Sequence, residues 1–141
     1  MDLDKDLAAR QEARELSRQA EKAQKELACF SQKQLDGIVE AVARAFSAAA
    51  VELAELAVRE TGFGNVNDKV TKNRFASERV AKTVRGQKCV GVLKEDPREK
   101  LWEVGVPVGV IAAIVPSTNP TSTVCYKALI ALKSATLFSA M

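Results

Sequence analysis

Around two prolines, Pro116-Ser117-Thr118-Asn119-Pro120-Thr121 sets three hydroxyls and one carboxamide close together on a backbone stiffened by the proline rings. Groups of this kind can donate to a bound ligand, or to an oxygen that gains negative charge during a reaction. The same residues also suit an ordinary capped turn, in which Asn119 and Thr121 bond their own backbone, and composition alone favours that plainer reading.

Cys125 falls in the first turn of the helix expected after this loop, where the positive end of the helix dipole can make a thiol nucleophilic. A buried, inert thiol on an apolar face is the simpler expectation, because no base stands nearby. Cys29 and Cys89 have weaker claims. Three cysteines at wide spacings fit reduced thiols rather than a disulfide framework. With no histidine in the chain, a zinc site, a Ser-His-Asp triad and a Cys-His pair cannot be assembled from it. Gly62 and Gly64 beside Asn65 resemble part of a phosphate loop, but no strand precedes them and no Gly-Lys-Ser/Thr follows. Trp102 suits packing or an interface better than substrate binding. The charges from Glu95 to Lys100 read as a solvated turn.

The elements that position the loop follow from periodicity. Asp2 to Ala28 is charged and alanine-rich, with Leu16, Ala20, Ala23 and Leu27 forming a narrow stripe on one helical face. Ser31 with Gln34 matches a capping box, and Leu35, Ile38, Val39, Val42 and Phe46 continue at helical spacing. Val51 to Glu60 presents Leu53, Leu56 and Ala57 before stopping at Thr61-Gly62. A fourth helix is expected from Asn67 as cap to Gly86, with Val70, Ser77, Val80, Ala81 and Val84 on one face. The period then changes to two. Cys89 to Leu93 and Leu101 to Val104 read as a hairpin joined by a turn over Lys94 to Glu99 that contains Pro97. Val108 to Val115 has the continuous apolar character of a strand buried on both faces of a parallel sheet. After the loop, Thr121 or Ser122 caps a helix carrying Val124, Ala128, Leu129 and Leu132, and Ala135 to Phe138 forms the next strand, parallel to the first.

The fold class is therefore α/β: N-terminal helices, a β-hairpin, then the first strand-helix-strand of a Rossmann-like parallel sheet. Ligands of such sheets bind beyond the carboxyl ends of the strands, which is where residues 116 to 121 lie. In domain terms, 1–86 is a helical part, 87–107 a hairpin and 108–141 the start of the sheet. The chain has 21 Lys+Arg against 18 Asp+Glu, a net charge of +3 too small and too dispersed to make nucleic acid an expected partner. No apolar run approaches the roughly 20 residues of a membrane span, and the charged first ten residues lack a secretory stretch, so a cytoplasmic protein with no membrane partner is expected.

At the loop the pattern becomes specific. Val108-Gly-Val-Ile-Ala-Ala-Ile-Val-Pro-Ser-Thr-Asn-Pro-Thr-Ser-Thr123, followed by Lys127 to Lys133, resembles the start of the cofactor-binding domain of CoA-acylating aldehyde dehydrogenases, a group that includes the N-terminal half of bifunctional aldehyde-alcohol dehydrogenases. Lys22 to Glu26 before Phe30, Glu60 to Gly64, Asp68 to Val70, Lys72 to Glu78 and Gly91 to Leu93 are similar to that family as well. The resemblance implies a cysteine thiolate that attacks an aldehyde, NAD as hydride acceptor, and coenzyme A as the co-substrate that takes the acyl group, in a homo-oligomeric enzyme. Acetaldehyde is the default substrate. By resemblance Ile114, Val115, Pro116, Ser117, Thr118 and Asn119 contact NAD. In the wider superfamily this loop carries an Asn that donates to the oxyanion. An ungapped match puts Thr118 at that place and Asn119 one residue on, so both are candidates.

Family members continue after the Leu132-Lys133 region with a Gly-Asn or Arg-Asn pair, an apolar strand and a Phe-Ser-Pro-His-Pro segment; here Ser134 to Met141 departs from that pattern. None of Cys29, Cys89 and Cys125 matches the family nucleophile. The expectation is a truncated N-terminal fragment, inactive alone and poorly soluble because a parallel strand pair exposes apolar faces and an open edge. Two other readings stand beside it. A helical interaction module would dock through the Leu16 to Leu27 stripe. A short functional NAD-binding protein is disfavoured because no glycine-rich pyrophosphate turn is present.

Overall fold

A computed structural model describes residues 4–140; the expected helix start at Asp2 and the terminal Met141 lie outside the described residues. Among the described residues six α-helices and four strands follow, the expected fourth helix being divided by a π-helical turn: α1 Lys5–Leu27, α2 Gln32–Ala48, α3 Ala50–Thr61, α4 Val66–Arg74, the π-helical turn Phe75–Arg79, α5 Val80–Val84, β1 Gly91–Asp96, β2 Leu101–Gly105, β3 Val110–Ala113, α6 Pro120–Lys133 and β4 Leu137–Ala140.

The core is helical. Leu35 is fully buried, and Val39 and Ala43 continue its stripe along α2 against Ala76, Ala81, Cys125 and Leu129. The α2 start is built as read: Ser31 Oγ accepts from the Gln34 backbone while Gln34 reaches back to Ser31 N, satisfying two otherwise orphaned donors. In α3 the buried face is Ala50, Ala54 and Ala57, with Leu53 and Leu56 only half-buried, because small residues let α3 approach α4 closely. Gly62 ends α3 at φ 68, the left-handed conformation an L side chain resists.

Several boundaries differ from expectation. Asn65, not Asn67, caps α4, its Oδ1 accepting from Asp68 N at 2.9 Å. In α1 the second half is fastened by Ala20, Gln24 and Leu27, whereas Leu16 and Ala23 face out. Gln24 donates to Ala135 O at 2.8 Å and accepts from Leu137 N at 2.6 Å, so a polar residue joins Ala20 and Leu27 of the expected stripe on the buried face. The hairpin turn is shorter than expected, since Lys94 to Asp96 belong to β1, and Pro97 does lie in the turn.

β3 and β4 pair in parallel through α6, from Val110 opposite Leu137 to Ala113 opposite Ala140. β3 is shorter than the Val108 to Val115 run and is not buried on both faces: Val108 and Ile114 are 84% and 80% exposed, and only Ala113 is buried. Among the described residues the sheet has two strands, and β3, paired with β4 and packed on α1, keeps Val110 and Ile111 exposed. β4 starts two residues later than expected because Ala135 adopts φ 51 and Thr136 is wholly buried at the end of α6.

Candidate functional site

The backbone leaves the carboxyl end of β3 at Ala113 and reaches α6 through Ile114 to Asn119. Asn119 N donates to Pro116 O at 3.2 Å and closes a tight turn. α6 begins at Pro120, whose fixed φ and missing N–H suit the first helical position, so neither Thr121 nor Ser122 is the cap. Asn119 holds the cap position without a capping side-chain bond, at φ −143 and ψ 61.

The plain turn reading fails at both of its residues. Asn119 Oδ1 accepts from Lys72 Nζ at 3.0 Å, and Thr121 Oγ1 donates to Asn73 Oδ1 at 2.7 Å. Neither side chain bonds its own backbone; both are held by α4. Lys69, only 5% exposed, donates to Thr118 O at 2.8 Å, and Lys127 of α6 donates to Ile114 O at 2.9 Å. Asn73 is buried and anchored in turn to Ala50 O at 3.0 Å. Three ammonium groups therefore occupy acceptors of the loop, and none of them pairs with a carboxylate among the described residues. Oxygen acceptors are turned toward the protein. The Ser117 and Thr118 side chains remain exposed, as does Ile114, while Val115 and Asn119 are half-buried.

Two depressions flank the loop. One of about 620 Å³ lies between β3 and α6, lined by Val108, Ile111, Ile114, Tyr126, Lys127 and Ile130 among others. The other, about 450 Å³, lies between α4 and α6 and includes Thr71, Lys72, Phe75, Ala76, Ser122 and Tyr126. Both are largely apolar, and Tyr126 touches each.

Cys125 lies in the second turn of α6, not the first, because the helix starts at Pro120, and it is buried to 1% exposure; burial pushes its thiol up to about 11, so it is a poor nucleophile at neutral pH. Cys89 is half-buried and Cys29 exposed. Gly62 and Gly64 form the α3–α4 connection rather than a phosphate loop, with Gly64 at φ 73 lying against the Lys69 stem. Trp102 is exposed on β2. No group of acidic residues and cysteines suited to a metal ion occurs among the described residues. No helix among them is long and apolar enough to cross a membrane.

Lys69, Lys72, Asn73 and Lys127 escaped the sequence reading as loop holders. A signal existed: Val66–Arg74 has only two apolar residues, Val66 and Val70, so a helix packed on two neighbours had to bury polar groups. Lys69 and Asn73, spaced i, i+4, are the buried ones.

The family model for the aldehyde dehydrogenase family matches residues 4–136. The bifunctional aldehyde-alcohol dehydrogenase AdhE of Escherichia coli (strain K12) is 46% identical over 119 residues, which are 84% of this chain and 13% of that protein. A probable aldehyde dehydrogenase from Listeria monocytogenes EGD-e is 52% identical with a TM-score of 0.95, over 99% of this chain and 31% of that one. An acetylating aldehyde dehydrogenase from Geobacillus thermoglucosidasius is 46% identical with a TM-score of 0.93, over 98% of this chain and 31% of that one. The chain thus spans less than a third of the relatives it matches.

Proposed function

The chain belongs to the acylating branch of the aldehyde dehydrogenase family, and on that premise we infer that residues 114 to 119 form part of an NAD cleft in an enzyme converting an aldehyde, acetaldehyde by default, to its acyl-CoA. The reaction balances as aldehyde + NAD⁺ + CoA–SH giving acyl–S–CoA + NADH + H⁺. The observation that carries the reading is the loop at the end of β3, whose Ile114, Thr118 and Asn119 oxygens are each taken by a lysine while the Ser117 and Thr118 side chains stay exposed.

That arrangement suits both tasks of the site. When a thiolate adds to the aldehyde carbon, the carbonyl π pair moves onto oxygen, and Thr118 and Asn119 are the donors placed for it. Ile114, apolar and exposed, with Ser117 and Thr118 beside it, fits a flat ring carrying a carboxamide. NAD, when bound, supplies the hydride acceptor. The aldehyde's carbon chain suits the depression beside Lys72 and Ser122. No cysteine of this chain fits the nucleophile's role, since Cys125 is buried with a raised pKa and Cys29 and Cys89 lie outside the loop's surroundings. The isolated chain is therefore inactive.

The hairpin, with Leu101, Trp102 and Val104 exposed, serves as a bridging surface between copies in a cytoplasmic homo-oligomer. Titration of NAD into the isotopically labelled chain tests the cleft: shifts confined to the amides of Ile114, Ser117 and Thr118 and their neighbours are expected. Saturating NAD that moves none of them removes the reading.

A further inference from the structure

The loop offers two candidate donors, Thr118 and Asn119, and one contact decides how they are used. Lys72 Nζ lies 3.0 Å from an atom of the Asn119 carboxamide. Nitrogen and oxygen of such a group are not distinguished by shape, but an ammonium only donates, so the atom facing it is Oδ1. Nδ2 is then forced to the opposite side, and there it lies 3.4 Å from Thr118 Oγ1. The neighbouring Lys69 fixes the same stretch through the Thr118 carbonyl at 2.8 Å, so the two residues are held at backbone and at side chain by one helix.

Resting on the reading above, we propose that Lys72 is a positioning residue that aims the Asn119 carboxamide, setting Lys72, Asn119 and Thr118 in a single row of hydrogen bonds whose outer donors face the reacting oxygen. The cation donates to Asn119 Oδ1, Asn119 Nδ2 donates to Thr118 Oγ1, and the Thr118 hydroxyl hydrogen and the second Nδ2 hydrogen are left for a ligand oxygen. Each bond in such a row strengthens the next, and a charged donor at its head strengthens it most. Thr118 and Asn119 are then one unit rather than rivals. Lys72 touches neither reactant and acts only through Asn119.

The test reads the side-chain amide of Asn119 in the ¹⁵N-labelled 141-residue chain without any aldehyde, NAD or coenzyme A, so it stands or falls separately from the enzyme reading. Its signal is assigned by its disappearance in Asn119→Ser. In Lys72→Met, which keeps the stem and removes the cation, the Asn119 Nδ2 signals move by more than their line width while backbone signals outside residues 116 to 121 stay in place; Lys72→Arg restores them. An unmoved Asn119 signal in Lys72→Met, or an equal displacement in the Met and Arg variants, overturns the proposal. Thr118→Val supplies an independent check should Lys72→Met unfold. It removes the far end of the row, so a smaller displacement than Asn119 shows on denaturation is expected, and full release of the amide would mean that Thr118, not Lys72, orients it.

Discussion

Single residues here are governed by who their partners are more than by what they are. Cys125 and Cys29 share a thiol and differ in access. Burial holds Cys125 at 1% exposure with its pKa near 11, while Cys29 is exposed and donates weakly to Lys25 O at 3.4 Å. Iodoacetamide at pH 8 should label Cys29 promptly and leave Cys125 unmodified until denaturant is added, which mass spectrometry of the digested chain checks. Asp36 shows the opposite balance. Burial works to raise its carboxyl, but hydrogen bonds from Lys133 and Gln32 and the attraction of the Lys133 charge outweigh it and hold the pKa below its ordinary value. A carboxyl depressed in the folded state stabilises above its unfolded pKa, and that contribution fades as pH falls through about 4 and below. Lys133 is 4% exposed while Asp36 is 41% exposed, so solvent screens part of the pair. Asp36→Asn should therefore cost about 1–2 kcal/mol at pH 7. Thermal melts should show the gap between native and variant chains narrowing toward pH 3.

At the level of elements, the apolar rhythm marks out the helical stretches and both strand pairs, because it rests on residues such as Leu35, Val39 and Leu129 that are in fact buried, but it does not show the π-helical turn that splits the expected fourth helix into α4 and α5. Ends set by local chemistry are legible at Ser31 with Gln34 and at Gly62, while at α4 two nearby asparagines both suit the cap and Asn65 takes it. Contacts to distant partners leave no such local signal. Nothing local to Asn119 announces Lys72, 47 positions away, and nothing local to Gln24 announces Ala135. The Val108 to Val115 run departs from expectation for a different reason: its composition describes what could cover it, whereas β3 has one neighbouring strand and α1 packed against it. Gln24 carries the clearest consequence for stability. Its truncation leaves the buried carbonyl of Ala135 without a partner and reduces the Leu137 N–H to its single bond with Gly109 O at 3.1 Å. Gln24→Ala is expected to cost about 1–3 kcal/mol in denaturant unfolding and to loosen β4 first in hydrogen exchange. Removing residues 1 to 28 would consequently disturb the sheet as well as any docking through α1. Substituting the exposed Leu16 alone is the cleaner probe of α1 as a docking helix.

For the molecule as a whole, a buried helical core sits beside an uncovered strand. Val108, Val110, Ile111, Ile114 and Ile130 are all exposed and border the same groove or its strand. Apolar surface gathered in this way drives association. Sedimentation velocity should show concentration-dependent self-association that Ile130→Ser, on the groove's helical wall, reduces; a monomer at every concentration would contradict it. The Gln24 contact also bears on how the structure is reached. It joins positions 113 apart, so β4 is clasped only after most of the chain has been brought together. Refolding should accordingly proceed in two stages, an early phase in which the local helices condense and a later one in which the parallel ladder zips, and the Gln24→Ala chain should lose speed in the second stage alone.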